Sequence, residues 1–163
     1  MRATSPPPGY HSVTPSLIVR DADAAIAFYT RAFGAEEVGR FTAPDGSVLH
    51  AEIRIGDSPV MLGEENAAWG ALSPLSTRAV VGALHLYVED ADAAYARALA
   101  AGATVRQPLE DAFWGDRYGK LVDPFGHEWG IATRLREMTP AEMQRAGEEW
   151  MARAATGAPS PTG

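Results

Sequence analysis

Hydrophobic and polar positions along this chain change period several times. Ser16–Val19 and Leu84–Val88 are short runs rich in β-branched and aromatic residues, and both read as strands. Behind each, the period lengthens to that of a helix. Ala25, Ile26, Phe28, Tyr29, Ala32 and Phe33 fall near one stripe of a helix expected at about 23–33. A second helix is expected at about 92–101. An aspartate stands where each should start, Asp21 or Asp23 and Asp90 or Asp92, because a carboxylate can accept from the unpaired N–H groups of a first turn. Gly34 and Gly102 stand where each should stop, since a left-handed residue closes a helix end. Period-two patterns then return. They fall at about Glu37–Phe41, Val48–Ile55 and Pro59–Leu62 after the first helix, and at about Thr104–Pro108, Tyr118–Val122 and Glu128–Thr133 after the second. Pro44-Asp45-Gly46, Gly56-Asp57 and Asp123-Pro124-Phe125-Gly126 mark turns between them.

The two halves repeat each other. Asp21–Ala25 and Asp90–Ala94 share the pentapeptide DADAA at an offset of 69, and the two stop glycines follow at an offset of 68. The unit is strand–helix–strand–strand–strand, twice: a first module at about 13–63, a linker at 64–82 and a second module at about 83–134. Thr139-Pro140-Ala141-Glu142 is a capping box with proline in the first helical position. It opens a helix expected at about 140–153, which should pack on the body or on a second subunit. The fold class is therefore α+β, one domain over 10–153. Tails 1–9 and 154–163 hold prolines and small residues with little to bury, so they are expected to be disordered.

Composition narrows the partners. A formal net charge of −7 argues against a nucleic-acid backbone, which needs a basic face. The absence of cysteine removes disulfides, thiolate metal sites and a cysteine nucleophile. No apolar run approaches the roughly 20 residues of a membrane span and no signal-peptide pattern opens the chain, so no membrane partner and a cytoplasmic location are expected.

Specific strings carry a resemblance. LIVRDADAAIAFYTRAFGAEE at 17–37, HAEIRIGD at 50–57, HLYVEDADA at 85–93 and GDRYGKLVDPFGHEW at 115–129, in that order, resemble the vicinal oxygen chelate superfamily. That group includes glyoxalase I, fosfomycin-resistance enzymes, extradiol dioxygenases and bleomycin-resistance proteins, and the fuller string is similar to its PhnB-like branch. The resemblance implies tandem βαβββ modules whose curled sheet encloses a cavity, and it implies a homodimer. Metal-using members hold an ion with four His, Glu or Gln ligands. The matching positions here are Thr14, about Met61, Ala83 and Gly130, none of them a usual ligand for a divalent ion. No metal and no other cofactor is therefore expected at the inherited site.

Strand alternation selects the remaining polar candidates, because residues i, i+2 and i+4 share a face. If Thr14 faces the cavity, so do Ser16, Ile18 and Arg20, and by the same frame His50, Glu52, Arg54, His85, Tyr87 and Glu128. His50, Glu52, His85 and Glu128 are either a displaced metal site or hydrogen-bonding groups of a wet cavity. His85 or His50 is a general-base candidate, with Glu52 or Glu128 to orient it, or else a structural imidazole. Tyr118 and Lys120 share the inward parity, and Arg117 is expected in an ion pair that fixes its loop. Trp69 and Trp114 are candidates for an aromatic rim, Trp129 is expected under the helices, and His127 is expected to point outward. Two functions fit these residues. One is a metal-free protein that binds and sequesters an aromatic or peptidic natural product, as bleomycin-resistance relatives do. The other is an isomerase, lyase or cyclising catalyst using the His and Glu groups. A third reading is a dimeric interaction protein whose cavity is filled by side chains.

Overall fold

A computed structural model describes residues 6–80 and 82–156. Module 1 contains β1 (Ser16–Val19), α1 (Ala22–Phe33), β2 (Glu36–Thr42), β3 (Val48–Ile55) and β4 (Ser58–Glu64). Module 2 contains β5 (Ala83–Tyr87), α3 (Ala91–Ala101), β6 (Thr104–Asp111), β7 (Asp116–Val122) and β8 (Glu128–Arg134). The expected order of elements is present, with ends shifted by a few residues. The linker, read from sequence without elements, holds a 3₁₀ turn at Ala67–Trp69 and a short helix α2 (Pro74–Thr77). A final helix α4 runs Pro140–Ala155 behind the capping box, in which Thr139 and Glu142 bond to each other's backbone N–H.

Local chemistry explains the repeat. Asp21 and Asp90 are the caps, accepting from Ala24 N and Ala93 N, while Gly34 (φ 68°) and Gly102 (φ 118°) end the helices in the left-handed region. Strand register repeats as well. β1 runs parallel to β4 with Ser16 opposite Met61, and β5 runs parallel to β8 with His85 opposite Gly130, so both partners move by the same 69 positions. Each module forms a four-stranded sheet, ordered β1-β4-β3-β2 and β5-β8-β7-β6.

The two sheets share one core. Leu17, Val19, Ile53 and Leu62 come to it from the first sheet, Leu121, Trp129 and Ile131 from the second, and α1 and α3 pack together beside them. Trp129 is 3% exposed against Phe33 and Tyr29, with ring centroids at 4.6 and 5.5 Å. Asp123, 4% exposed, fastens the modules to each other. Its Oδ2 accepts from Tyr29 of α1 at 2.8 Å and from Trp129 Nε1 at 2.9 Å. Its Oδ1 accepts from Phe125 N and His127 N, both at 2.9 Å, which closes the Asp-Pro-Phe-Gly turn. Burial and the Asp123 carboxylate together push the Tyr29 phenol well above the usual tyrosine range.

One expectation is corrected here. His127 does not point outward: its half-buried ring donates from Nε2 to Ile18 O at 3.0 Å and ties the start of β8 to β1. Before β1, Tyr10 N donates to Pro7 O at 3.0 Å and closes a turn over residues 7–10. Residues 1–5 and 157–163, the rest of the expected tails, lie outside the described residues. The linker is anchored by Glu65, which accepts from Ser73 N and Ser76 Oγ, both at 2.9 Å; these bonds hold its pKa down to about 2.

Removing the Asp123 carboxylate strands four donors at the junction of the modules, three of them buried. Asp123→Ala is expected to cost about 3–5 kcal/mol of unfolding free energy, and Asp123→Asn less, because the amide keeps one acceptor. Urea denaturation followed by circular dichroism measures both. Equal stability of Asp123→Ala and wild type would contradict the role assigned to Asp123.

Candidate functional site

The faces of the sheets turned away from the shared core carry the polar residues. On module 1 this face holds His50, Glu52 and Arg54 of β3, half-buried and alternating with buried Ala51, Ile53 and Ile55. His50 Nε2 lies 3.1 Å from Glu52 Oε1, and the phenol of Tyr10 donates to Glu52 Oε2. The Tyr10 bond first and the His50 bond second hold the Glu52 carboxyl below the usual carboxylate range. Tyr10, Thr14, Glu52 and Met61 help to wall a cleft of about 670 Å³, built from module 1 and the segment before it. Phe41 stands opposite His50 on β2, on the same face, and is 61% exposed. Ser16 is at the edge strand, lining a separate groove of about 440 Å³ where β1 and β5 approach under the linker.

On module 2 the same face is aromatic. The rings of His85 and Tyr118 are stacked at 5.4 Å and 10°, and His85 lies 4.6 Å from Tyr87. The row continues from Tyr118 to Trp114 at 5.1 Å, to Phe113 at 5.0 Å and to Trp150 of α4 at 5.6 Å. Six rings thus run in stacked, tilted and edge-to-face contacts across the sheet and onto the last helix, at spacings at which aromatic pairs attract. The stack exists because Gly130 lies beneath it: a Cβ there would meet Tyr118 Cε2 at 2.9 Å and His85 Nδ1 at 3.1 Å. Asp116, 2% exposed, orients the row. Its Oδ2 accepts from Tyr87 Oη at 2.9 Å and from Trp114 Nε1 at 3.1 Å. Among the described residues its Oδ1 has no hydrogen-bond partner, with Arg134 Nε at 3.9 Å. The bond to Asp116 pushes the Tyr87 phenol up. At the other end of the face, Glu128 lies 3.7 Å from Arg106 and pairs with Lys120 at 2.9 Å, and the Glu128 bond raises the Lys120 pKa.

The residues singled out from sequence therefore fall into two groups on two sheets. Thr14, His50 and Glu52 belong to one; His85, Tyr87, Trp114, Tyr118 and Glu128 belong to the other. Trp69 joins neither, standing 71% exposed on its 3₁₀ turn. His50, Glu52, His85 and Glu128 do not converge: among the described residues no three His, Asp or Glu side chains come close enough to hold a metal ion. Nor does either Glu orient His85, whose neighbours are rings. The enclosed cavity expected from the resemblance is not formed by one chain, because the modules meet through their helices and apolar faces. Arg117 does fix its strand, pairing with Asp92 at 2.9 Å and Asp111 at 3.1 Å. The sequence gives no role to Tyr10, which precedes the first expected strand; it groups Phe113 with the tryptophans without placing it in the row, and with β7 expected to begin at Tyr118 it pairs Asp116 with Arg117 in a loop and hides the parity of Asp116 with Tyr118.

A model of the Glyoxalase/Bleomycin resistance protein/Dioxygenase superfamily matches residues 10–131. The chain belongs to that superfamily. It is 44% identical over 138 residues to an uncharacterized protein of Mycobacterium tuberculosis, covering 83% of this chain and 81% of that one. It is 31% identical over 122 residues to an uncharacterized protein of Arabidopsis thaliana, covering 71% and 73%. Among solved structures, TioX from Micromonospora sp. ML1 is similar with a TM-score of 0.61 and 28% identity, over 77% of this chain and 99% of that one. A PhnB protein from Bacillus cereus shares the fold with a TM-score of 0.58 at 21% identity, over 76% and 98%.

The superfamily's metal chemistry does not fit these residues. Thr14, Met61, Ala83 and Gly130 offer no carboxylate or imidazole, and a longer side chain at 130 would collide with the His85–Tyr118 stack. At Gly130, one of the positions the resemblance assigns to a metal ligand, the fold here carries a ring stack. Gly130→Ala tests that exchange. The added methyl must displace Tyr118 or His85, so the near-ultraviolet circular dichroism of the ring row should change and stability should fall by about 1–3 kcal/mol. An unchanged spectrum would mean that the glycine is not what permits the stack.

Proposed function

We propose that the protein binds a small aromatic or peptidic molecule, bleomycin-like in combining flat rings with amine donors, and holds it without transforming it. The observation that carries this reading is the row His85–Tyr118–Trp114, a preorganised stacking surface fixed from below by Gly130 and from the side by Asp116. Rings locked in place lose little entropy when a flat ligand lies on them. The net charge of −7 favours a cationic ligand. A role of this kind is the sequestration by which a cytoplasmic protein confers antibiotic resistance.

We propose further that two copies complete the site, the polar face of module 1 in one opposing that of module 2 in the other. Each face alone is open and leaves a ring uncovered, Phe41 at 61% and Tyr87 at 55% exposure. Charge supports the pairing. Glu52 lies opposite Met61 and Lys120 lies opposite Gly130, so the two modules carry opposite charges at equivalent places. The second reading, an isomerase, lyase or cyclising enzyme, is favoured by one observation, the His50–Glu52 contact of 3.1 Å, which suits an acid–base pair.

Light scattering at micromolar protein should give twice the 17.4 kDa chain mass. A monomer would end the two-copy proposal. Titration with bleomycin, read by tryptophan fluorescence, should saturate, and Trp114→Ala should weaken binding by about 1–3 kcal/mol. Equal affinity in that variant would remove the stacking role. Conversion of the bound compound by wild type and not by His50→Ala, followed by mass spectrometry, would favour the enzyme instead.

A further inference from the structure

The polar face of module 1 is not bare: the segment before β1 folds across it. Gly9 takes a left-handed conformation (φ 83°), and its backbone lies beside the Arg54 guanidinium, 3.6 Å from where a Cβ would stand. Tyr10 then reaches down to Glu52. Among the described residues, this is the one side-chain hydrogen bond that residues 6–14 make. No strand pairing holds them, and Val13 is left 84% exposed. Pro6, Pro7, Tyr10, His11, Ser12 and Thr14 nonetheless line the cleft that contains Glu52. A segment with so few attachments opens at low free energy.

We propose that residues 6–14 are a displaceable strap, latched by Tyr10 on Glu52, and that a ligand carrying an N–H donor enters this face by taking the phenol's place. The proposal rests on the reading of this face as one wall of a small-molecule site. An ionised carboxylate only accepts, so whatever succeeds Tyr10 on Oε2 must donate: an ammonium, an amidinium or an amide. His50 keeps Oε1, which leaves the carboxylate oriented when the strap lifts. The phenol thus sets a threshold. Purely aromatic compounds can use the module 2 platform, but only donors compete for Glu52.

Tyr10→Phe keeps the ring and removes the latch. Hydrogen–deuterium exchange on the full chain should show faster exchange at residues 8–14, by about threefold or more, since an exposed charge-assisted bond is worth that much. Protection of β3 should not change. The same variant should bind bleomycin more tightly by a similar factor, because no phenol competes. Unchanged exchange at 8–14 would overturn the latch. Faster exchange with weaker binding would overturn displacement and make Tyr10 a ligand contact. If wild type binds no bleomycin, the ligand-wall reading falls and displacement with it, while exchange still decides the latch.

Discussion

The buried carboxylate of Asp123 is the constraint on which the arrangement of this molecule depends. It takes four donors: two backbone N–H groups of its own turn, an indole from β8 and a phenol from the other module. A buried charge with fewer partners would be strongly unfavourable. The Asp-Pro-Phe-Gly turn, the seating of Trp129 and the position of α1 are thus set together. That choice brings the helices and apolar faces of both modules inward. The polar faces are left outward, which is why a single chain has two separate polar faces rather than one enclosed cavity.

Duplication supplied two equivalent faces, and substitution made them different. Positions 61 and 130 hold Met and Gly, positions 16 and 85 hold Ser and His, and positions 14 and 83 hold Thr and Ala. The Gly at 130 has the largest structural effect, since only a residue without a side chain leaves room for an imidazole and a phenol to stack there. Module 2 became a ring surface with a buried carboxylate behind it. Module 1 kept a hydrogen-bonding trio, Tyr10, Glu52 and His50. The two appended segments follow the same division, the N-terminal one reaching the trio and α4 adding Trp150 to the rings.

Much of the fold was legible in the sequence because its signals are local. Asp caps, Gly stops and the offset of 69 depend on residues close together in the chain, and they locate both modules. Alternation also placed His50, Glu52, His85, Tyr87 and Glu128 on the faces they occupy, and put Trp129 beneath the helices. It failed where a side chain's partner is distant. His127 looked like a surface turn residue, yet it meets Ile18, 109 positions away. Tyr10 precedes the first expected strand and has no role in that pattern, yet it meets Glu52, 42 positions away.

The sequence by itself determined the repeat, the two βαβββ units and which residues of each strand share a face, since period and capping follow from backbone geometry alone. Only the tertiary structure decided that the faces open in different directions, that His85 stacks instead of meeting a carboxylate, and that Asp116 aligns Tyr87 and Trp114. Those outcomes turn on how two modules pack and on space measured in tenths of an ångström above Gly130. A one-dimensional pattern records which face a residue is on, but not what stands across from it.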